Sequence, residues 1–339
     1  EKVNTQLKAF GAILTYTEKA RLKNASKLED ALAAIRKEEP APSKLLSELT
    51  GVANKAALTQ GNAIVGFLLN LIMPWDLFYS WRLNQYTERL NERLPDWVAA
   101  YTDLEVYISL ASFASLNKDY AYPTFQNDGA QFEAIDLGHP LLGRTDKVTN
   151  SFKIADVQET ILLTGSNMSG KSTFLRTIGV NLVLAYAGAP VNAAKLSFRP
   201  MRLYTCINVS DSLADGFSYF YAEVRRLRML LENVRDHATK PVLYLIDEIF
   251  RGTNNRERLL GSTAYVEALS KEKACGLVST HDLELVKLED RIPHLHNYHF
   301  RETIEDGLMK FEYKLLTGPS PTTNALRIMQ MEGLPTPIM

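Results

Sequence analysis

Residues 164–173, TGSNMSGKST, hold the most specific chemical pattern in the chain. Gly165, Ser166, Asn167, Met168, Ser169, Gly170, Lys171 and Ser172 fit the eight-position motif G-x-x-x-x-G-K-[ST], with an apolar run before it and a helical pattern after it. The glycines let the backbone curl until successive N–H groups face a phosphate, and the helix that follows adds its positive N-terminal dipole. Lys171 then bridges the β- and γ-phosphates of a nucleotide, and Ser172 offers its hydroxyl to Mg2+. Residues Gly165 through Thr173 are thus the nucleotide-binding candidates.

Such a site needs a second group for the metal. The apolar stretch VLYLIDE supplies Asp247 at the tip of a buried strand. Glu248, directly after it, is placed to orient and polarise an attacking water, because adjacent residues at a strand end reach metal and γ-phosphate respectively. His281 follows the apolar GLVST and reaches the γ-phosphate from the next strand end; spacing alone does not separate this from an ordinary strand-end histidine.

These residues must be held by two kinds of element. From the first residue to about 120 the pattern is helical: Leu7, Phe10, Leu14 and later Leu28, Leu32, Ile35 recur at three and four residues. Helix breaks are expected at EEPAPS, 38–43, and at Leu94-Pro95-Asp96. The window AIVGFLLNLIMPW, 63–75, falls short of the ~20 residues of a spanning helix and reads as a helix buried in the fold, with no membrane contact. The chain opens on Glu1 inside a helical pattern, so it reads as a fragment of a longer protein. An all-α domain is therefore expected over 1–120. Over 121–339, fully apolar strands alternating with helices predict an α/β domain whose mostly parallel sheet is covered on both faces. Around Glu305-Asp306-Gly307 two alternating runs predict a hairpin.

Composition excludes little. With 46% hydrophobic and 23% charged residues the chain is of ordinary globular type. Lys plus Arg number 38 against 39 Asp plus Glu, so overall charge gives no footprint for nucleic acid or an anionic membrane. The two cysteines, Cys206 and Cys275, lie in apolar segments and read as buried thiols of a cytoplasmic protein.

Taken in order, GHPLL, TGSNMSGKSTFLR, DSLADGFSYFYAEV, LIDEIFRGTNNRE, STHDLEL and the closing HNYHF…EGLP resemble the ATPase domain of the MutS family of DNA mismatch repair proteins, a branch of the ABC-type P-loop ATPases. The resemblance covers about 139–335. It implies ATP and Mg2+ as ligands, with Ser172 and Asp247 on the metal and Lys171, Glu248 and His281 in hydrolysis. It makes Ser218 the signature serine, which reaches the γ-phosphate bound by the other subunit of a homodimer with composite sites. Bottom-up, Ser218 or Asp215 reads simply as a helix cap. RGTNNRE matches the segment linking the two sites, although Arg256 and Arg258 read as a solvated basic face. His299 aligns with the histidine that clamps the adenine; the opposing upstream residue is Val148 or Phe152.

The resemblance does not extend to mismatch recognition. Phe300-Arg301-Glu302 spells the family's mismatch-reading Phe-x-Glu letters, but it falls within the ATPase part and reads as coincidence. The implied function is an ATP-dependent dimer switch coupled to DNA, with DNA binding resting on resemblance alone. The alternative is a related ATPase without a DNA role, whose helical half engages a protein partner or membrane through 64–81.

Overall fold

The computed structural model describes residues 2–20, 25–61, 63–143, 145, 147–166, 168–207, 219–236, 240–250, 253–305, 308–321 and 335. The chain divides into two compact units, Glu1–Phe113 and Ala114–Met339.

The first unit is helical: α1 (Lys2–Lys19), α2 (Ser26–Ala31), α3 (Ala33–Arg36), α4 (Pro42–Ala56), α5 (Leu58–Gly61), α6 (Ala63–Ile72) and α7 (Trp75–Leu116). Pro42 stands at the start of α4, where its missing N–H costs nothing. Leu14, Leu32, Ile35, Leu45, Leu46, Trp97 and Ala100 form the core. Trp97 is fully buried and donates its indole N–H to Glu38 at 3.0 Å.

Two expectations are corrected here. Helix α7 runs through Pro95 instead of ending at it. A proline inside a helix costs ~3 kcal/mol, and the packing of Leu90, Leu94, Trp97, Ala100 and Leu104 into one core on both sides of it offsets that loss. The apolar 63–75 stretch is helical but not buried: Ile64, Phe67, Leu71 and Ile72 stay 69–82% exposed, and only Gly66 of α6 is covered. Among the described residues no single helix is long and apolar enough to cross a membrane.

The second unit is mixed α/β. Its elements are β1 (Thr124–Phe125), β2 (Phe132–Leu137), β3 (Asn150–Ile154), β4 (Thr160–Thr164), α8 (Lys171–Tyr186), β5 (Lys195–Phe198), β6 (Arg202–Cys206), α9 (Tyr219–Arg235), β7 (Val242–Ile246), α10 (Asn255–Leu269), β8 (Ala274–Ser279), β9 (Leu295–His299), β10 (Glu302–Glu305), β11 (Leu308–Phe311) and β12 (Leu316–Thr317), with a 3-10 turn at Leu283–Asp290. The central sheet has the order β12-β9-β4-β8-β7-β6, parallel throughout except where β12 meets β9. Strands β10 and β11 pair antiparallel as the hairpin pattern predicts; residues 306–307 between them lie outside the described residues.

Alternation explains why these strands are apolar throughout. Ile161 and Leu163 of β4 face α8 and the smaller β1-β5-β2-β3 sheet, while Leu162 between them faces the side packed by Leu227, Leu230 and Val266 of α9 and α10. A strand covered on both faces has no polar side to show. Both cysteines are buried and free.

Gly276 in β8 permits the closest approach in the sheet. A Cβ there would lie 2.1 Å from the Tyr244 carbonyl oxygen, and Tyr244 is itself fixed by a 2.6 Å hydroxyl contact with Thr160. Backbone cannot yield as a flexible side chain can. Gly276→Ala is therefore expected to cost about 3 kcal/mol, seen as a lowered urea midpoint followed by circular dichroism; an unchanged midpoint would contradict this packing.

Candidate nucleotide site

Strand β4 delivers the chain to Gly165 at the carboxyl end of the sheet, where ligands of open α/β sheets bind. Gly165 has φ +142, and a Cβ on it would fall 2.5 Å from the Phe300 carbonyl oxygen and 2.8 Å from Ser169 Oγ. Glycine is required there by both conformation and space. Gly170, with φ +111, opens the 16-residue helix α8. Met168 is left-handed and 82% exposed, whereas Asn167 lies outside the described residues.

Within the loop Lys171 is buried, and its ammonium donates to the carbonyls of Gly165 and Ser166, 2.8 Å each. Ser169 Oγ donates to the Ser166 carbonyl at 2.9 Å. Ser166 Oγ donates to the buried carboxylate of Glu302 at 2.7 Å, tying the loop to β10. Burial pulls the Lys171 ammonium down to about 8, against the upward pull of Glu248, Asp247 and Glu302.

The next two strand ends bring the acids. Ser279, at the end of β8, donates from Oγ to Asp247 Oδ1 at 2.6 Å and accepts the Glu248 backbone N–H at 2.9 Å. One hydroxyl thus fixes both acids, and Glu248 takes φ +55, a conformation unfavourable for a side-chain-bearing residue. Glu248 Oε1 meets His281 Nε2 at 2.5 Å. Behind His281, Asp282 accepts from Nε and Nη2 of Arg258 at 2.8 and 2.9 Å. Arg258 is therefore no solvated face residue: it ties α10 to the segment that carries His281. Arg256 is exposed, as expected. Ser218 and Arg251 lie outside the described residues.

A cavity of about 540 Å³ opens beside the loop, lined by Ser166, Met168, Gly170, Lys171, Ser172 and Thr173, with Glu248, Val148 and Tyr313 among the residues that complete it. The volume is within the ~300–1,000 Å³ of small-ligand sites. Tyr313 is the residue that sequence reasoning missed. Its ring edge lies about 3 Å from where a Gly170 Cβ would be, and its backbone is left-handed, φ +54. Asn150 pins that backbone from both sides, donating to the Tyr313 carbonyl at 3.0 Å and accepting the Leu315 N–H at 2.8 Å. By contrast His299 is buried between β4 and β12, its Nδ1 2.9 Å from the Gly318 carbonyl oxygen, and it is not among the cavity's lining residues. Phe152 belongs to the core.

The donor set suits a magnesium nucleotide. A buried cation sits on a loop whose Gly165 has no room for a Cβ, at the N-terminus of a long helix, with Ser172 on the helix and Asp247 at the tip of β7.

A protein-family model described as MutS domain V matches residues 161–339. The chain is 31% identical over 276 residues to the DNA mismatch repair protein MutS of Lactobacillus helveticus, covering 79% of this chain and 31% of that protein. It is 34% identical over 260 residues to the DNA mismatch repair protein MutS of Thermus aquaticus, covering 76% and 30%. It is 33% identical over 258 residues to the DNA mismatch repair protein MutS 2 of Halobacterium salinarum, covering 74% and 29%. The chain thus spans about a third of the length of these relatives. The alignments are longer than the matched domain, so they reach into the residues before 161.

Proposed function

The chain belongs to the MutS family, and from that premise we propose that its second unit binds ATP with Mg2+ in the cavity beside Lys171 and hydrolyses it. The observation that carries this reading is the meeting of three strand ends: the glycine loop and Glu248 line one cavity, Ser279 fixes Glu248 and Asp247 together, and His281 contacts Glu248.

Lys171 leaves the loop carbonyls it bonds in this structure for the β- and γ-phosphate oxygens, and the loop N–H groups and helix dipole hold the rest of the negative charge. Ser172 and Asp247 would hold the metal, whose charge would offset that of the phosphates. Glu248 accepts the proton of the attacking water, and His281 Nε2, which meets that carboxylate in this structure, orients it; once ATP is bound the same N–H turns to the γ-phosphate. Val148 and Tyr313 line the cavity and face the base, and His299, at the end of β9, remains the family-implied candidate for the second adenine contact. Tyr313→Ala is expected to weaken nucleotide binding roughly tenfold, the loss of one ring contact of about 1.4 kcal/mol, with Tyr313→Phe near the parent value; fluorescence of a labelled ATP analogue reads both.

Binding should also be pH-linked. Lys171 in the folded chain loses its proton near pH 8, whereas a bound polyphosphate favours the charged form. The complex therefore takes up protons above that pH, and affinity falls as pH rises from about 7 to 9. Calorimetric titration in two buffers of different ionisation enthalpy detects the uptake; identical heats at pH ~8.5 would contradict it.

By the family's pattern, ABC-type pairing of two copies brings Ser218 of one to the γ-phosphate held by the other, and the ATP state governs DNA contact. Anisotropy of labelled homoduplex, mismatched and branched DNA, with and without ATP analogue at two salt concentrations, tests the DNA part. Salt-sensitive, nucleotide-dependent binding is expected; no binding in any condition confines the function to the ATPase.

A further inference from the structure

The exposed apolar surface on the helical unit has a chemistry of its own. Between Lys55 and Asp76 the chain has no ionisable residue. Along α6, Ile64, Phe67, Leu68, Leu71 and Ile72 share one exposed face at helical spacing. Helix α7 leaves at 87° and adds Leu77, Phe78 and Trp81, all exposed. At the base of this corner the rings of Trp75, Phe78, Tyr79 and Trp81 pack on one another, centroids 4.5–6.4 Å apart.

The side chains of Asn70, Asp76, Thr59 and Trp75 are bonded within the corner, and Gln60 and Ser80 lie exposed at its edge. Asn70 Nδ2 donates to the Gly66 carbonyl at 3.0 Å and to Asp76 Oδ2 at 2.7 Å, and Asn70 Oδ1 accepts the Asp76 N–H at 3.1 Å. Thr59 Oγ1 donates to Asp76 Oδ1 at 2.6 Å, and the Trp75 indole N–H goes to the Lys55 carbonyl at 3.0 Å. A protein interface uses direct hydrogen bonds, about one per 100–200 Å²; hydrocarbon demands that polar groups be satisfied internally. The rim carries Lys55 and Arg82, the latter over the rings of Phe78 and Tyr86, while its carboxylates are bonded within the chain: Asp76 accepts from Thr59 and Asn70, and Glu48 accepts the Tyr86 hydroxyl at 3.0 Å. Cations at the rim and no charge at the tip complement an anionic headgroup layer above an apolar interior.

Length sets the depth. Ten residues of α6 rise about 15 Å, half of the ~30 Å hydrocarbon thickness, and the right-angle bend stops further entry. The geometry points to α6 and the first turns of α7 as an apolar wedge that seats in one leaflet of an anionic lipid bilayer, with Trp75 and Trp81 at the headgroup level. This surface shares no residue with the nucleotide cavity, and its test does not depend on ATP.

The 339-residue chain is mixed with phosphatidylcholine vesicles, with and without phosphatidylglycerol, whose acyl chains carry bromine. Trp75 and Trp81 are expected to be quenched more strongly with phosphatidylglycerol, while Trp97, buried in the core, keeps its emission. Phe67→Ser with Leu71→Ser alters two side chains already at least 69% exposed, so the fold is retained; vesicle partition is expected to fall at least about tenfold. Three results would overturn the proposal: no quenching with either vesicle, quenching unaffected by the double substitution, or a light-scattering dimer that the double substitution dissolves without any lipid binding.

Discussion

Glu248→Gln is expected to lower ATP turnover about 10²–10³-fold while leaving nucleotide binding intact, because a positioned general base contributes roughly that much. The substitution removes the carboxylate that meets His281 at 2.5 Å but keeps its shape. Glutamine also tolerates the left-handed backbone at this position no worse than glutamate, and the backbone N–H bond to Ser279 is unaffected. Folding should therefore be unchanged. With hydrolysis blocked, the ATP-bound form accumulates, and light scattering with ATP and Mg2+ should report a dimer where the nucleotide-free chain is smaller. Turnover at the parent rate would remove Glu248 from the chemistry, and a monomer under both conditions would remove the dimer switch.

Lys171→Met is the second large effect, and it acts on binding. Methionine fills the buried stem volume but supplies no donor, so the phosphates lose a charge-assisted contact of about 1.5–3 kcal/mol. ATP affinity is expected to fall about 100-fold, which at 1.4 kcal/mol per decade is the upper part of that range. The stability consequence has the opposite sign. A lysine whose folded value is drawn below its unfolded one penalises the folded state below that value, and the penalty is relieved as pH rises from about 8 towards about 10.5. Removing the buried ammonium removes that penalty, so the variant should be no less stable at neutral pH in urea unfolding. A variant that loses ATP binding only because it unfolds would contradict this.

What the sequence made legible followed from short-range rules. The glycine-lysine-serine run between a strand and a helix states a phosphate loop by local backbone chemistry, and VLYLIDE and GLVSTH state strand tips by their apolar runs. Tyr313 was not legible because FEYKLL alternates like any strand end; only the fold brings it against Gly170, and the Asn150 contacts that hold it cross more than 160 positions. Ser279 was hidden inside an apolar strand, one residue from the Thr280-His281 pair that was read. Its role appears only once β7 and β8 are known to be neighbours. Pro95 misled because a local breaker is outweighed by a core around Trp97. The 63–75 helix misled because hydrophobicity says that a surface must be covered, not what covers it.

The helical unit and the sheet unit thus pose different questions, and the central claim concerns the second. It is tested most directly by calorimetric titration of ATP with Mg2+ into the Glu248→Gln chain, beside the chain carrying both Glu248→Gln and Lys171→Met. Saturable binding near one nucleotide per chain is expected in the first and about 100-fold weaker binding in the second. No binding in the first, or equal binding in both, would contradict the assignment of this cavity to ATP.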